Sequence, residues 1–450
     1  MLPTYIDASD AELACDFEAF VKVLRNRPRR LGLVLAVGLG GLVLTIFVAV
    51  PIMRPVFHFP KPGGPYAIGT LTYHWVDTDR ADVFSADANA RRELMGQIWY
   101  PATATKPSSS LLQLAHAPYV QNASALAKAL SRLKNLPTAL FGQFKHVTTH
   151  ATVGAPVSDG KTNYPVLIFL QGAIGFRQMN TFQVEALVSQ GYIVVAIDQP
   201  HTAAVVVFPD GREVGAMPLD QMIPLIHQSH SPAAIPPTLN GRAFEEGIVP
   251  YLAHDVSFTL NQLAALNQGN PNAILTERLN LAQVGTFGIS LGGIVGSEAC
   301  RIEPRVRACL FMDAPMPVDV VKFGLQQPTL WITRDADTMR LERRRSGGWS
   351  ESEISEHQTS MRAAFAKSQV AGYFVQVPGM FHVNFTDVPY WSPLLPWLGV
   401  TGPINAQRAH NIINAYSVAF FNRHLLGNAE ALLDDPSSQY PEVIFSARKR

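Results

Sequence analysis

The sequence has little charge and few cysteines. Only 16% of its 450 residues are charged, and 36 Lys and Arg face 35 Asp and Glu, so the formal net charge is +1. The balanced charge gives no overall field that would attract nucleic acid, and the sequence shows no basic face. No nucleic-acid partner is therefore expected. Its three cysteines, Cys15, Cys300 and Cys309, lack zinc or redox spacing, and an odd number cannot complete a disulfide framework. We expect them to be small buried hydrophobic residues.

Hydrophobic residues, by contrast, make up 47% of the chain, which indicates a membrane segment or an apolar substrate site. Residues 31–53 form a run of 23 residues without a charge. A helix needs about 20 apolar residues to cross a bilayer, whereas the apolar region of a cleaved signal peptide has about 7–15. The length therefore favours a retained transmembrane helix over a cleaved leader or a buried core helix.

Basic residues are concentrated before this run. Only Arg54 and Lys61 follow it closely, whereas five basic residues precede it: Lys22, Arg25, Arg27, Arg29 and Arg30. The positive-inside rule then leaves the N-terminus in the cytoplasm and the rest of the chain on the outer side, periplasmic or extracellular. We expect a cytoplasmic segment at 1–30, a single span at 31–53, a linker at 54–65 and one large domain at 66–450.

Beyond the linker, short apolar runs alternate with amphipathic stretches of helical length. This pattern is typical of an α/β fold with a mostly parallel sheet flanked by helices. The predicted strands are 165–171, 192–198, 283–289, 307–313, 329–333 and 373–377, with antiparallel strands at the leading edge near 68–75 and 95–100. Two segments interrupt the pattern: 208–250, which we interpret as a cap insertion over the sheet, and the charged stretch 340–355, interpreted as a solvated loop that leads into a helix.

One motif carries most of the chemical information. Residues 288–293 read Gly-Ile-Ser-Leu-Gly-Gly and join an apolar strand to a helix-like stretch. A serine on such a sharp turn has strained backbone angles, and its Oγ projects at the top of the sheet. We therefore predict that Ser290 is a nucleophile. The competing interpretation, a Gly/Ser turn without chemical purpose, leaves the residues that accompany it unexplained.

A serine hydroxyl needs a histidine as base, and the histidine needs a carboxylate that fixes its tautomer. On this fold the chain order is Ser, acid, His, and His382, after the last apolar strand, is the predicted base. The residues leave the acid open, because Asp313 ends one strand while Asp335 and Asp337 follow the next. A strand-end carboxylate that is not catalytic is usually a helix cap or turn residue.

Acyl transfer also needs hydrogen-bond donors where negative charge develops on the carbonyl oxygen. The backbone N–H of Leu291, directly after the serine, is one expected donor. The second is the N–H of Ala173, in a loop where Gly172 would permit the tight turn. A plain turn at the strand exit is the alternative. No cluster of metal-ligand residues has suitable spacing, so neither a metal nor another cofactor is expected.

These pieces together resemble the platelet-activating factor acetylhydrolase family of the plasma and type II intracellular kind, together with bacterial predicted dienelactone hydrolases. The resemblance spans 165–384 and rests on QGAIGFR, GYIVVAIDQPH, HDVSFTLNQL, FGISLGG, RACLFMDAPM and PGMFHVNFTD. It implies the α/β-hydrolase fold and assigns the acid to Asp313, 23 residues after Ser290. One departure is Gln171 before Gly172, where the family often has histidine; a backbone donor survives that change, but the polarity of the pocket changes.

The resemblance implies a calcium-independent esterase that removes short or oxidised acyl groups from phospholipids through an acyl-Ser intermediate. The predicted anchor favours a lipidic substrate, because it places the site near the membrane. The alternative is a carboxylesterase, lactone or polyester hydrolase that uses the same residues on soluble esters. A non-catalytic scaffold on the hydrolase fold would not need the intact set Ser290, Asp313 and His382. The sequence leaves the oligomeric state open.

Overall fold

An eleven-stranded mixed sheet organises the part of the chain that the structure, a computed structural model, describes: residues 56–103, 116–269, 273–435 and 439–448. Its order is β15-β14-β13-β12-β11-β5-β6-β2-β1-β4-β3. Two short hairpins, β7-β8 and β9-β10, lie outside it. The strands are β1 Ala67–Ala81, β2 Arg91–Ala102, β3 His116–Pro118, β4 Thr148–Val153, β5 Tyr164–Leu170, β6 Ile193–Asp198, β7 Val205–Val207, β8 Glu213–Gly215, β9 Thr238–Leu239, β10 Arg242–Ala243, β11 Leu279–Ile289, β12 Val306–Met312, β13 Thr329–Thr333, β14 Gly372–Gln376 and β15 Ile444–Arg448.

Helices connect most of these strands. They are α1 Ala123–Lys134, α2 Thr181–Ser189, α3 Leu219–His227, α4 Val249–Gln268, α5 Leu291–Ile302, α6 Val318–Phe323, α7 Ala336–Ser346, α8 Glu351–Lys367, α9 Val388–Trp391 and α10 Ala406–Leu426. Short 3₁₀ helices cover Thr138–His146, His382–Phe385 and Ala431–Leu433. The interpretation of 340–355 as a loop that leads into a helix is correct only for 347–350, which precede α8; the remainder is wrong, because it contains the end of α7 and the start of α8.

The centre of the sheet is parallel, as the apolar runs predict. The strands β6, β5, β11, β12, β13 and β14 pair in parallel, and every residue of β5 and β6 is buried. Strands covered on both faces are apolar throughout rather than alternating. The strands β1 and β2 are antiparallel as expected. They are not the edge, however, because the short β4 and β3, which carry little periodicity, lie beyond them.

Helices cover both faces of the sheet and create two apolar cores. One core contains side chains of α1, α2 and α10, such as Leu126, Leu187 and Phe420. The other contains side chains of α4, α5 and α8. The segment predicted as a cap, 208–250, contains β8 of the first hairpin, α3 and the second hairpin, β9-β10. Met222 and Leu225 of α3 pack into the second core.

The first described residues are part of the folded unit that begins at Val56. Phe57 and Phe59 are buried, and their rings lie 5.5 and 5.2 Å from that of Tyr119. Phe59 also contacts Tyr390 of α9, in the C-terminal third of the chain, with ring centres 5.8 Å apart. Part of the predicted linker at 54–65 therefore packs against the domain.

The predicted span at 31–53 lies outside the described residues and stays a prediction. Within the ranges given above, no helix is both long and apolar enough to cross a membrane.

The two described cysteines correct an expectation from the sequence. Cys300 near the end of α5 and Cys309 in β12 are buried, but they are joined in a disulfide, with Cα atoms 6.6 Å apart. The prediction that they are only small hydrophobic residues is wrong. The helix α5 runs back along the sheet, so its C-terminal half returns to the parallel strand that follows it, a juxtaposition that residue spacing does not reveal.

A chain that starts at residue 56 keeps both buried phenylalanines, whereas one that starts at residue 66 lacks them. We expect the shorter chain to be less stable by at least about 3 kcal/mol, because replacing one core Phe by Ala costs about 3–5 kcal/mol. Denaturant unfolding of the two chains measures the difference. The Phe57→Ala/Phe59→Ala variant of the longer chain is the matched control. Equal stabilities would show that these aromatic contacts contribute nothing.

Candidate active site

Ser290 occupies the sharp turn between β11 and α5. Its backbone has φ 55° and ψ −124°, a left-handed conformation that costs a non-glycine residue energy and is found mostly at functional sites. Its N–H donates to Met312 O at 3.0 Å, which ties the turn to the neighbouring strand. Two residues later, a Cβ on Gly292 would lie 1.9 Å from Leu170 O. Only glycine therefore lets α5 start this close to β5.

Asp313 and His382 meet at the same edge of the sheet. Asp313 directly follows β12, the strand beside β11, and His382 begins the 3₁₀ helix after β14. The His382 Nδ1 lies 2.6 Å from Asp313 Oδ2. Asp313 is fully buried, while 25% of the His382 side chain is exposed. Within the described residues no hydrogen bond joins Ser290 Oγ to His382; catalytic hydrogen bonds often tighten only when substrate is bound.

The charges around this pair favour an ionised acid and a neutral histidine. Burial alone would raise the pKa of Asp313, but the Arg334 guanidinium and bonds from His357 and His382 hold it well below its ordinary value. Burial lowers the pKa of His382, and the bond to Asp313 opposes this only in part. A neutral imidazole beside a carboxylate is the state that accepts a proton from a hydroxyl.

The alternative acids do not reach the histidine. Asp335 caps α7, where its Oδ1 accepts the Thr338 N–H at 2.8 Å. Asp337 is exposed and pairs with Arg340 at 2.8 Å. Both carboxylates thus have the capping and surface contacts expected of a strand-end residue outside the site.

Asp313 has partners that the sequence did not indicate. Thr333 Oγ1 donates to its Oδ1 at 3.0 Å, and His357 Nε2 lies 3.2 Å from the same oxygen. Arg334 Nε lies 3.2 Å from Oδ1 and 3.0 Å from Oδ2. Arg334 directly follows β13 and His357 lies in α8, and neither belongs to a local motif. The carboxylate is therefore held through both of its oxygens.

A second layer encloses these groups. Glu342 on α7 pairs with Arg334 and accepts the backbone N–H of His382 at 3.2 Å. The Trp349 ring stands edge to face with His382, with centres 5.4 Å apart, and the Arg334 guanidinium carbon lies 5.1 Å from the Trp349 ring centre. The helix pair α7 and α8 thus supplies the surroundings of the histidine.

The two predicted amide donors flank the serine. Leu291 is the first residue of α5, so its N–H has no partner within the helix. Neither this N–H nor that of Ala173 has a protein acceptor in the part of the chain described above, whereas Ile174 N donates to Thr202 O at 2.7 Å. The turn uses Ile174, at φ 56°, instead of Gly172. Gly172 matters for another reason, since its Cβ would lie 3.1 Å from Ser290 Cβ.

A cavity of about 350 Å³ opens beside Ser290. Ile223 and Ile226 of α3, with Ile294, form its apolar side, and His357 and Trp349 line the side next to Asp313. Within the described ranges, no group of three or more His, Cys, Asp or Glu side chains is arranged to hold a metal ion. The cavity therefore presents a serine, an apolar wall and a polar wall to a small organic group.

The parallel sheet, with a serine at the strand-to-helix turn and an aspartate-histidine pair at the adjacent strand ends, defines the α/β-hydrolase class. Comparison with known proteins identifies the family within this class. The family model described as platelet-activating factor acetylhydrolase, isoform II, matches residues 52–434. The chain belongs to this family.

Individual relatives agree with this assignment. A probable 1-alkyl-2-acetylglycerophosphocholine esterase of Arthroderma benhamiae is 23% identical over 86% of this chain and 94% of its own. The platelet-activating factor acetylhydrolase of Cavia porcellus is 24% identical over 81% and 78%. A solved ferulic acid esterase from Streptomyces cinnamoneus superimposes with a TM-score of 0.66 and 28% identity, over 87% of this chain and 99% of its own. The protein is an enzyme that hydrolyses carboxylic esters.

Asp313→Asn should lower turnover by about 10⁴-fold, the loss seen when an asparagine favours the wrong histidine tautomer in a serine protease. Asp335→Asn and Asp337→Asn, the matched controls, should lose far less, because they affect only a cap and a surface pair. Steady-state kinetics on a chromogenic ester, with thermal unfolding of each variant, measures this. A nearly inactive Asp337→Asn beside an active Asp313→Asn would move the acid to the later strand.

Proposed function

We propose that Ser290 is the nucleophile, His382 the general base, Asp313 the acid that orients it, and the N–H groups of Leu291 and Ala173 the oxyanion donors. The observation that carries the proposal is the 2.6 Å bond from His382 Nδ1 to Asp313. It leaves Nε2 as the proton acceptor, the arrangement of serine-hydrolase triads. His357 binds the carboxylate through Nε2 instead, so His382 has the orientation of a base and His357 does not.

In the proposed reaction, Ser290 Oγ attacks the ester carbonyl carbon while His382 Nε2 takes its proton. The carbonyl oxygen becomes an oxyanion and accepts the N–H bonds of Leu291 and Ala173. Its collapse breaks the bond to the alcohol, which leaves with the proton from His382. Water then attacks the acyl-Ser290 carbonyl, gives its proton to His382, and the acid departs as the proton returns to Oγ.

We propose esters with a short or oxidised acyl group, such as those of phospholipids, as the substrates. The cavity volume and its isoleucine wall support a small apolar acyl group. The relative named as a 1-alkyl-2-acetylglycerophosphocholine esterase supports the lipid alcohol, and the one named as an acetylhydrolase supports a short acyl group. The ferulic acid esterase structure supports the second candidate, a carboxylesterase for soluble esters.

A fluorophosphonate probe should label the wild-type protein at Ser290, and Ser290→Ala should abolish labelling, because only an activated serine reacts at useful rates. On esters of increasing acyl length, with a phospholipid series included, kcat/KM should peak at short or oxidised acyl groups. Labelling that persists unchanged in Ser290→Ala would exclude this nucleophile. High activity on soluble aryl esters with none on phospholipids would favour the second candidate.

We further propose that the enzyme is anchored by residues 31–53 with its catalytic domain on the outer side of the membrane. The length of the apolar run and the basic residues before it support this. The Cys300–Cys309 disulfide supports an oxidising compartment. Leu394, Trp397 and Leu398 form an exposed apolar loop, with 89% of Trp397 accessible. Such a surface suits a membrane interface better than bulk water.

The full chain should stay with membranes after an alkaline wash, whereas the chain that starts at residue 56 should be released, because it lacks the predicted span.

After unfolding without reductant, the full chain should expose one reactive thiol, from Cys15, and three after reduction. Mass spectrometry after alkylation counts them. Release of the full chain would refute the anchor, and three thiols without reductant would argue against an oxidising compartment.

A further inference from the structure

The carboxylate of Asp313 is shared by two imidazoles, and only one of them has a place in the reaction just proposed. His382 lies at Oδ2, and His357 lies at Oδ1, 3.2 Å from its Nε2. An ionised carboxylate can only accept hydrogen bonds. The Nε2 of His357 therefore bears a hydrogen and donates a hydrogen bond to Oδ1.

The Oδ1 bonds decide which oxygen is available to His382. Thr333 Oγ1 and His357 Nε2 both approach Oδ1, while Arg334 Nε lies within 3.2 Å of each oxygen. Rotation of the carboxylate would break the bonds from Thr333 and His357 together. Oδ2 is thus kept in place for His382, whose tautomer and ring direction depend on it.

His357 is itself held firmly. Only 1% of its surface is exposed, and it lies in the first half of α8, whose start is fixed by a capping box between Ser350 and Glu353. The Trp349 ring centre is 5.7 Å from that of His357 and 5.4 Å from that of His382, so one indole packs against both. The neighbouring Glu356 bonds to His230 after the cap helix at 2.6 Å.

We propose that His357 is a positioning residue, which donates to Oδ1 of Asp313 so that Oδ2 stays directed at His382. This role rests on the proposed function of Asp313 and His382. The competing explanation is a buried histidine that merely satisfies its own N–H on a convenient carboxylate. The two explanations differ in what happens to His382 when the donor is removed without a change in packing.

Two substitutions separate them in the full chain. His357→Phe keeps a ring against Trp349 but removes the N–H, whereas His357→Gln keeps an N–H donor at similar reach. We expect His357→Phe to lower kcat by about 10-fold or more, the size of effect seen for outer partners of metal-bound histidines, with KM changed by less than about two-fold. That split marks an interaction used in the transition state rather than in substrate binding. His357→Gln should restore most of the activity.

A proton NMR signal reports the Asp313–His382 bond directly. The wild type should show a strongly downfield Nδ1 proton that is absent in Asp313→Asn. We expect His357→Phe to shift or broaden it and His357→Gln to preserve it. The control is His424→Phe, which replaces a partly buried histidine bonded to Tyr373 on the opposite face of the sheet and should alter neither kcat nor the signal.

The outcomes are distinct. Full activity and an unchanged signal in His357→Phe would overturn the proposal. It would also be overturned if His357→Phe and His357→Gln lost equal activity and their unfolding temperatures fell by the same amount. Different results would contradict the proposed function: labelling that persists in Ser290→Ala, or activity that persists in His382→Ala. The NMR comparison still tests the contact in that case, because it needs no substrate.

Discussion

The structure around the site depends on one buried carboxylate. Asp313 contacts groups from three parts of the chain: the end of β13 through Thr333 and the adjacent Arg334, α8 through His357, and the segment after β14 through His382. Glu342 then connects Arg334 to the backbone of His382. A buried ion pair contributes little net stability compared with apolar packing, but removing one partner costs about 3–5 kcal/mol because the other charge is left unpaired. The pairing therefore fixes an arrangement more than it stabilises the fold.

The sequence predicts those parts of the molecule whose pattern is local. Strands β5 and β6 are apolar throughout because both faces are covered, and Ser290 is marked by glycines that the close approach of α5 to β5 requires. The parallel centre could be predicted for that reason. The roles of Ser290, Asp313 and His382 remain predictions, although the structure brings the last two into contact.

The rest depends on contacts between residues far apart in the chain. Arg334 and His357 look like ordinary polar residues until the sheet places the end of β13 and α8 beside Asp313, 21 and 44 residues away. The sequence does not reveal the disulfide for the same reason, because the chain must turn back between α5 and β12 before Cys309 meets Cys300. The segment 340–355 looked like a loop because its charges conceal the weak apolar side of α7 and α8.

The aromatic contact at the beginning of the domain also affects the order in which the domain can fold during synthesis. Phe59 packs against Tyr390, a residue 331 positions later in the chain. At a synthesis rate of about 5–20 residues per second, Phe59 leaves the ribosome roughly 17–66 s before its partner. During that interval Phe59 has Tyr119 as a partner but lacks Tyr390. The packing around Phe59, at the beginning of the domain, is thus completed only after most of the sheet has been made, and one face of this ring stays open to wrong partners until then.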